Sequence, residues 1–196
     1  MTLAAVLLAG GRASRVDGAP KPLFEVGGRT LLTAAVEAAR DAGARPIVVA
    51  GPAVDLVPSV TFVQEDPPFG GPVAGTVAAL EELGDAEWTL LLACDLPGVG
   101  RAVPLLVDAL PLLPRDADGV CLADETSRPQ WLIGLYRTTA LRDAASALPS
   151  RGRDAPMRDL LADLAITVLR APDAATRDVD TWEDLEQART AIEETP

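Results

Sequence analysis

The chain has 196 residues, 48% of them hydrophobic, and a formal net charge of −12. That length closes one substantial core and is short for two, so a single domain over 1–196 is expected. The negative charge argues against nonspecific nucleic-acid binding, and the absence of histidine excludes a Ser-His-Asp triad, a Cys-His pair and histidine-containing zinc sites.

In chain order, Leu3 to Leu8 is a continuous apolar run of the kind that makes a strand buried on both faces. Similar runs recur at Pro46–Ala50, Val60–Gln64, Thr89–Ala93, Gly119–Leu122, Gln130–Tyr136 and Ile166–Leu169. Helical spacing marks Leu31–Ala42, Pro72–Leu83, Ala102–Leu110, Thr138–Leu148, Met157–Leu164 and Thr181–Glu193. Pro72 suits a first helical turn, and Thr181 with Asp184 three residues on forms a capping box. The alternation predicts an α/β doubly wound three-layer sandwich with a mostly parallel central sheet. No run reaches the roughly 18 apolar residues of a membrane span, and no signal-peptide pattern opens the chain. A soluble, cytoplasmic protein is expected. Cys94 and Cys121 have no CxxC spacing and read as buried small hydrophobes.

The segment from Leu8 to Lys21 follows the first strand, at the edge where open α/β sheets bind ligands. Gly10 and Gly11 let the backbone approach a phosphate, and Arg15 and Lys21 supply positive charge. Lys21 is the single lysine among 17 positive side chains. Neither the dinucleotide fingerprint GxGxxG nor the P-loop GxxxxGK[ST] is present, and Lys21, between Pro20 and Pro22, is expected on a rigid extended stretch.

Asp95 closes the apolar run Leu90–Cys94, which places a carboxylate at a strand's carboxyl end as a magnesium ligand or as a cap. Glu65-Asp66 precedes a glycine-rich turn leading to Gly75; Asp66 reads as a nucleoside contact or as a helix-start acid. Asp178 and Asp180, before the last helix, offer a second metal ligand or an acceptor contact.

These segments resemble the molybdenum cofactor guanylyltransferase family within the wider nucleotidyltransferase superfamily. The likeness rests on Leu8-Ala9-Gly10-Gly11 through Arg15 to Lys21, on Glu65-Asp66 to Gly75, on Cys94-Asp95-Leu96-Pro97, and on Arg128–Leu132 leading to Gly134–Tyr136. Pro20 and Asp17 depart from its usual aspartate and glycine, and Asp178 and Asp180 stand where some pterin-binding members carry asparagines.

The resemblance implies a Rossmann-like fold of the nucleotide-diphospho-sugar transferase type. It also implies transfer of GMP from GTP to molybdopterin cofactor with Mg2+. Arg15, Lys21 and Asp95 would be catalytic. Leu8, Ala9, Gly10, Gly11, Lys21, Asp66, Gly75 and Asp95 would bind nucleotide, and Asp95 with Asp180 would hold the metal. The alternatives are a cytidylyltransferase of the same architecture, with a molybdopterin or methylerythritol phosphate acceptor, a nucleotide-sugar glycosyltransferase, and a noncatalytic nucleotide-binding relative.

Overall fold

The computed structural model describes residues 1–11, 16 and 18–193. Strands are β1 (Leu3–Leu8), β2 (Glu25–Val26), β3 (Arg29–Thr30), β4 (Ile47–Ala50), β5 (Thr61–Val63), β6 (Trp88–Ala93), β7 (Gly119–Ala123), β8 (Pro129–Arg137) and β9 (Ile166–Arg170). Helices are α1 (Leu31–Asp41), α2 (Gly71–Leu80), α3 (Val99–Ala109), α4 (Thr138–Ala147), α5 (Met157–Leu160), α6 (Asp173–Thr176) and α7 (Trp182–Glu193).

Seven strands form one sheet in the order β5-β4-β1-β6-β8-β7-β9. Pairing is parallel for β4–β5, β1–β4, β1–β6 and β7–β9, and antiparallel where β8 meets β6 and β7. This is the mostly parallel sandwich expected from the apolar runs. Both faces of β1 are covered, so its alternating side chains enter two different cores. Leu3, Ala5 and Leu7 join the cluster containing Leu32, Val36 and Leu106 of α1 and α3. Ala4 and Val6 join Val73, Leu141 and Leu160 of α2, α4 and α5. The chain leaves β1 toward β4 and returns to its other side as β6, and this change of direction opens a crevice above β1.

A third, smaller cluster gathers Val16, Phe24, Val26, Leu31, Val179 and Leu185. It seats α7 against the hairpin β2–β3, whose Gly27–Gly28 turn has positive φ at both residues. The two strands are two residues each, too short to show a period, and the sequence reading omits them. The capping box at α7 forms as expected: Thr181 N–H donates to Asp184 Oδ2 at 2.8 Å and Asp184 N–H to Thr181 Oγ1 at 3.2 Å. Helix α2 stops at Leu80 and α5 at Leu160, earlier than their apolar spacing suggests, because turns continue the apolar pattern without helical geometry. Among the described residues no helix is long and apolar enough to cross a membrane.

Candidate active site

The crevice above β1 is a cavity of about 610 Å³. Leu8, Ala9, Gly10 and Gly11 line it from β1, Ala50 and Gly51 from β4, and Asp95 from β6. Ladder bonds continue past the strand ends: Ala9 N–H donates to Ala50 O at 2.9 Å and Cys94 N–H to Leu8 O at 3.0 Å. The backbone leading into Gly10–Gly11 is thus held to both neighbouring strands while the two glycines stay exposed. Gly75, buried on α2, presents bare backbone beside Leu8 and Ala50. Lys21 reaches the same cavity. Pro20 is extended as expected, but Lys21 starts a single 3₁₀ turn, Lys21–Leu23, closed by Leu23 N–H to Pro20 O and Phe24 N–H to Lys21 O. Pro22 suits that first turn because its fixed φ is helical and its missing N–H is not needed there.

Lys21 Nζ lies 2.5 Å from Asp180 Oδ1, with only 14% of the lysine side chain exposed. Asp180 belongs to the extended segment before α7. Val179, between the two aspartates, is fully buried in the third cluster, and its N–H donates to Asp95 O at 2.9 Å. In an extended chain alternate side chains share a side, so burying Val179 sends Asp178 and Asp180 together toward Asp95. One carboxylate oxygen from each of Asp95, Asp178 and Asp180 lies within 4.8 Å of the other two. Trp182 packs its ring 5.1 Å from Phe24 and so ties the start of α7 to the end of the Lys21 turn.

The crowding has an electrostatic cost. Desolvation raises the Asp95 carboxyl to about 6, the Asp178 charge adds to this, and Lys21 opposes it. Asp178 keeps more than a third of its surface in water, yet local desolvation first and the Asp180 charge second push it upward as well. Three carboxylates against one ammonium form an oxygen-only donor set with uncompensated negative charge, which fits a hard divalent cation such as Mg2+. The cysteines are buried as expected; burial pushes Cys121 up to about 12 and Cys94 higher still, so both stay thiols.

Residues 5–168 match the pattern that defines the MobA-like NTP transferase domain. The chain belongs to the MobA-like NTP transferase family. A probable molybdenum cofactor guanylyltransferase of Synechococcus elongatus is 33% identical over 186 residues, covering 88% of this chain and 90% of its own. The molybdenum cofactor guanylyltransferase of a Bradyrhizobium species is 33% identical over 161 residues, 74% of this chain and 71% of its own. Among solved structures, the 2-C-methyl-D-erythritol 4-phosphate cytidylyltransferase of Thermus thermophilus superposes with a TM-score of 0.73 at 20% identity, covering 98% of this chain and 100% of its own. It has the same fold.

The MobA-like pattern ends before Asp178 and Asp180, which reach Asp95 from the segment that follows it. Arg15 lies outside the described residues. Asp66 is exposed and lines a neighbouring depression beneath α2; the main cavity takes Glu65 instead, whose Oε1 accepts Gly70 N–H at 3.0 Å. The sequence shows the acidic pair without showing which member turns inward. Phe69, Leu132 and Asp154 also line the cavity; Phe69 and Leu132 fall in segments that carry the resemblance, and Asp154 carried no sequence signal.

Gly98 couples the two halves of the acidic cluster. A Cβ there would sit 2.0 Å from Ala174 O, in the α6 turn that leads to Asp178. Gly98→Ala therefore forces that turn away from Asp95. The expected result is a loss of about 1–3 kcal/mol in stability, the usual cost of overpacking, together with a smaller rise in melting temperature on adding magnesium chloride. Thermal melts with and without magnesium check both; wild-type behaviour would rule out the coupling.

Proposed function

We propose that this protein transfers GMP from GTP to molybdopterin cofactor and releases pyrophosphate, working in the cytoplasm. The observation that carries this is the meeting of Lys21 with Asp95, Asp178 and Asp180 beside the glycine turn after β1, in a family whose guanylyltransferase relatives match most of the chain.

The acceptor phosphate is already ionised, so the reaction needs no general base, which suits a chain without histidine. An acceptor oxygen attacks the α-phosphorus in line. The bond to the bridging oxygen breaks, and pyrophosphate leaves with the electron pair. Gly10 and Gly11 direct backbone N–H groups at the phosphates, and Lys21 and Arg15 offset charge that builds on the leaving oxygens. Leu8, Ala9 and Gly75 seat the nucleoside, with Glu65 or Asp66 at its edge. Asp95, Asp180 and Asp178 would hold Mg2+, which when bound neutralises phosphate charge that this acidic site would otherwise repel.

The test is pyrophosphate release by purified protein with magnesium chloride and each nucleoside triphosphate in turn, with and without molybdopterin cofactor. Release should require GTP and the cofactor together. Release with cytidine triphosphate would move the base assignment to a cytidylyltransferase, and nucleotide binding without release under any condition would sink the catalytic reading.

A further inference from the structure

Phe69 is the only aromatic ring among the described residues lining the cavity, and it is 56% exposed. Its backbone has φ +63°, in the left-handed region that bulky side chains avoid. An exposed ring in a disfavoured conformation loses on both counts, and a slack loop would relax it. This loop is braced. Gly70, the next residue, is buried; its N–H donates to Glu65 Oε1 at 3.0 Å and its carbonyl accepts from Asp154 N–H at 2.7 Å. Arg153 Nη1 reaches Pro67 O at 3.4 Å, two residues before Phe69 in the chain.

The bracing segment is itself anchored. Gly152 (φ +71°) packs so closely on α2 that a Cβ would lie 2.3 Å from Val73 Cγ1. Prolines at 67, 68 and 72 stiffen the stretch further. The rigidity has no packing purpose at Phe69, whose ring is left largely in solvent at the cavity wall.

We propose that Phe69 is a stacking platform for a planar heteroaromatic ring of a substrate. This rests on the nucleotidyl-transfer reading, which supplies two such rings sharing a 2-amino-4-oxopyrimidine edge: guanine and the pterin of the acceptor. A π-face stacks on either, and truncating such a platform weakens ring binding by roughly fivefold or more.

The experiment is calorimetric titration, in magnesium chloride, of wild type, F69A, F69L and F69Y with three probes: GTP, pterin, and inorganic tripolyphosphate. F69A and F69L should bind one ring-bearing probe at least about fivefold more weakly, F69Y should keep wild-type affinity, and tripolyphosphate should bind all four alike. Weakening of GTP assigns the platform to the nucleobase; weakening of pterin assigns it to the acceptor. Unchanged affinity for both rings in F69A overturns the proposal, as does wild-type ring affinity in F69L, or an equal loss of tripolyphosphate, which would mark displacement of the loop. Pyrophosphate release by wild type is read separately. Its absence alongside Phe69-dependent ring binding would remove the transfer reaction and leave the platform standing.

Discussion

Asp95→Asn should lower pyrophosphate release about a thousandfold or more and at the same time raise the melting temperature of the metal-free protein at pH 8. The two effects have one cause. Burial, followed by the Asp178 charge, lifts the Asp95 carboxyl from 3.8 to about 6. A group whose folded value is raised contributes its stability fully below the unfolded value and loses it as pH rises through the folded value. Asp95 is therefore neutral and costs the fold nothing below about pH 4, and it opposes the fold above about pH 6. Asparagine keeps the shape without the charge. Discounted for the water that still reaches the site, the relief is about 1–2 kcal/mol, or about 3–6 °C in a chain of this size.

Magnesium chloride should stabilise the wild type more at pH 8 than at pH 5, where protons compete for the carboxylates, and should stabilise Asp95→Asn little at either pH. Melts in EDTA and in magnesium at both pH values read all four conditions. A metal-free Asp95→Asn that melts well below wild type at pH 8 would mean that the carboxylate stabilises the fold, and the metal assignment would fall.

The parts of this site that were legible in the sequence are those set by a strand and the residues just past its end. Leu3–Leu8 is apolar on both faces because both faces are buried, and whatever follows such a strand stands at the ligand-binding edge. Asp95 was legible for the same reason. Asp178 and Asp180 were legible as a pair because one residue separates them, but their meeting with Asp95 depends on Val179 entering a core built with Phe24, Val26 and Leu31 from the other end of the chain. No local pattern encodes that.

The direction of β8 is legible from the length of the connection before it. Only five residues, 124–128, join it to β7, too few for a parallel crossover, so the pair had to be antiparallel. Asp124 makes that turn tight by accepting from Thr126 N–H and Arg128 N–H. The inward turn of Glu65 was not within reach. It depends on the hydrogen bond to Gly70 and on how Gly70 meets Asp154, more than eighty residues along the chain.

Lys21→Ala should reduce turnover by about 10²–10³, the usual loss when one charge-stabilising donor is removed from a transfer site, while leaving the fold intact. Its ammonium is confined by Pro20 and Pro22 and by the short contact with Asp180, so its position is fixed before any substrate arrives. Catalysis by positioning and electrostatics gains most from a charge that need not reorganise. Lys21→Arg keeps the charge and should still fall well short of wild type. A planar guanidinium is wider than an ammonium, and the lysine side chain it would replace is 14% exposed against Asp180. Steady-state kinetics separate the roles: loss of a contact made only in the transition state lowers kcat and kcat/KM together, whereas loss of ground-state phosphate binding raises KM alone. Equal falls in kcat and kcat/KM for Lys21→Ala, with a melting temperature within a few degrees of wild type, place Lys21 at the reacting phosphate. A change confined to KM would make it a substrate-holding residue, and a collapse of the fold would make the Lys21–Asp180 pair a structural tie between the turn after Pro20 and the start of α7.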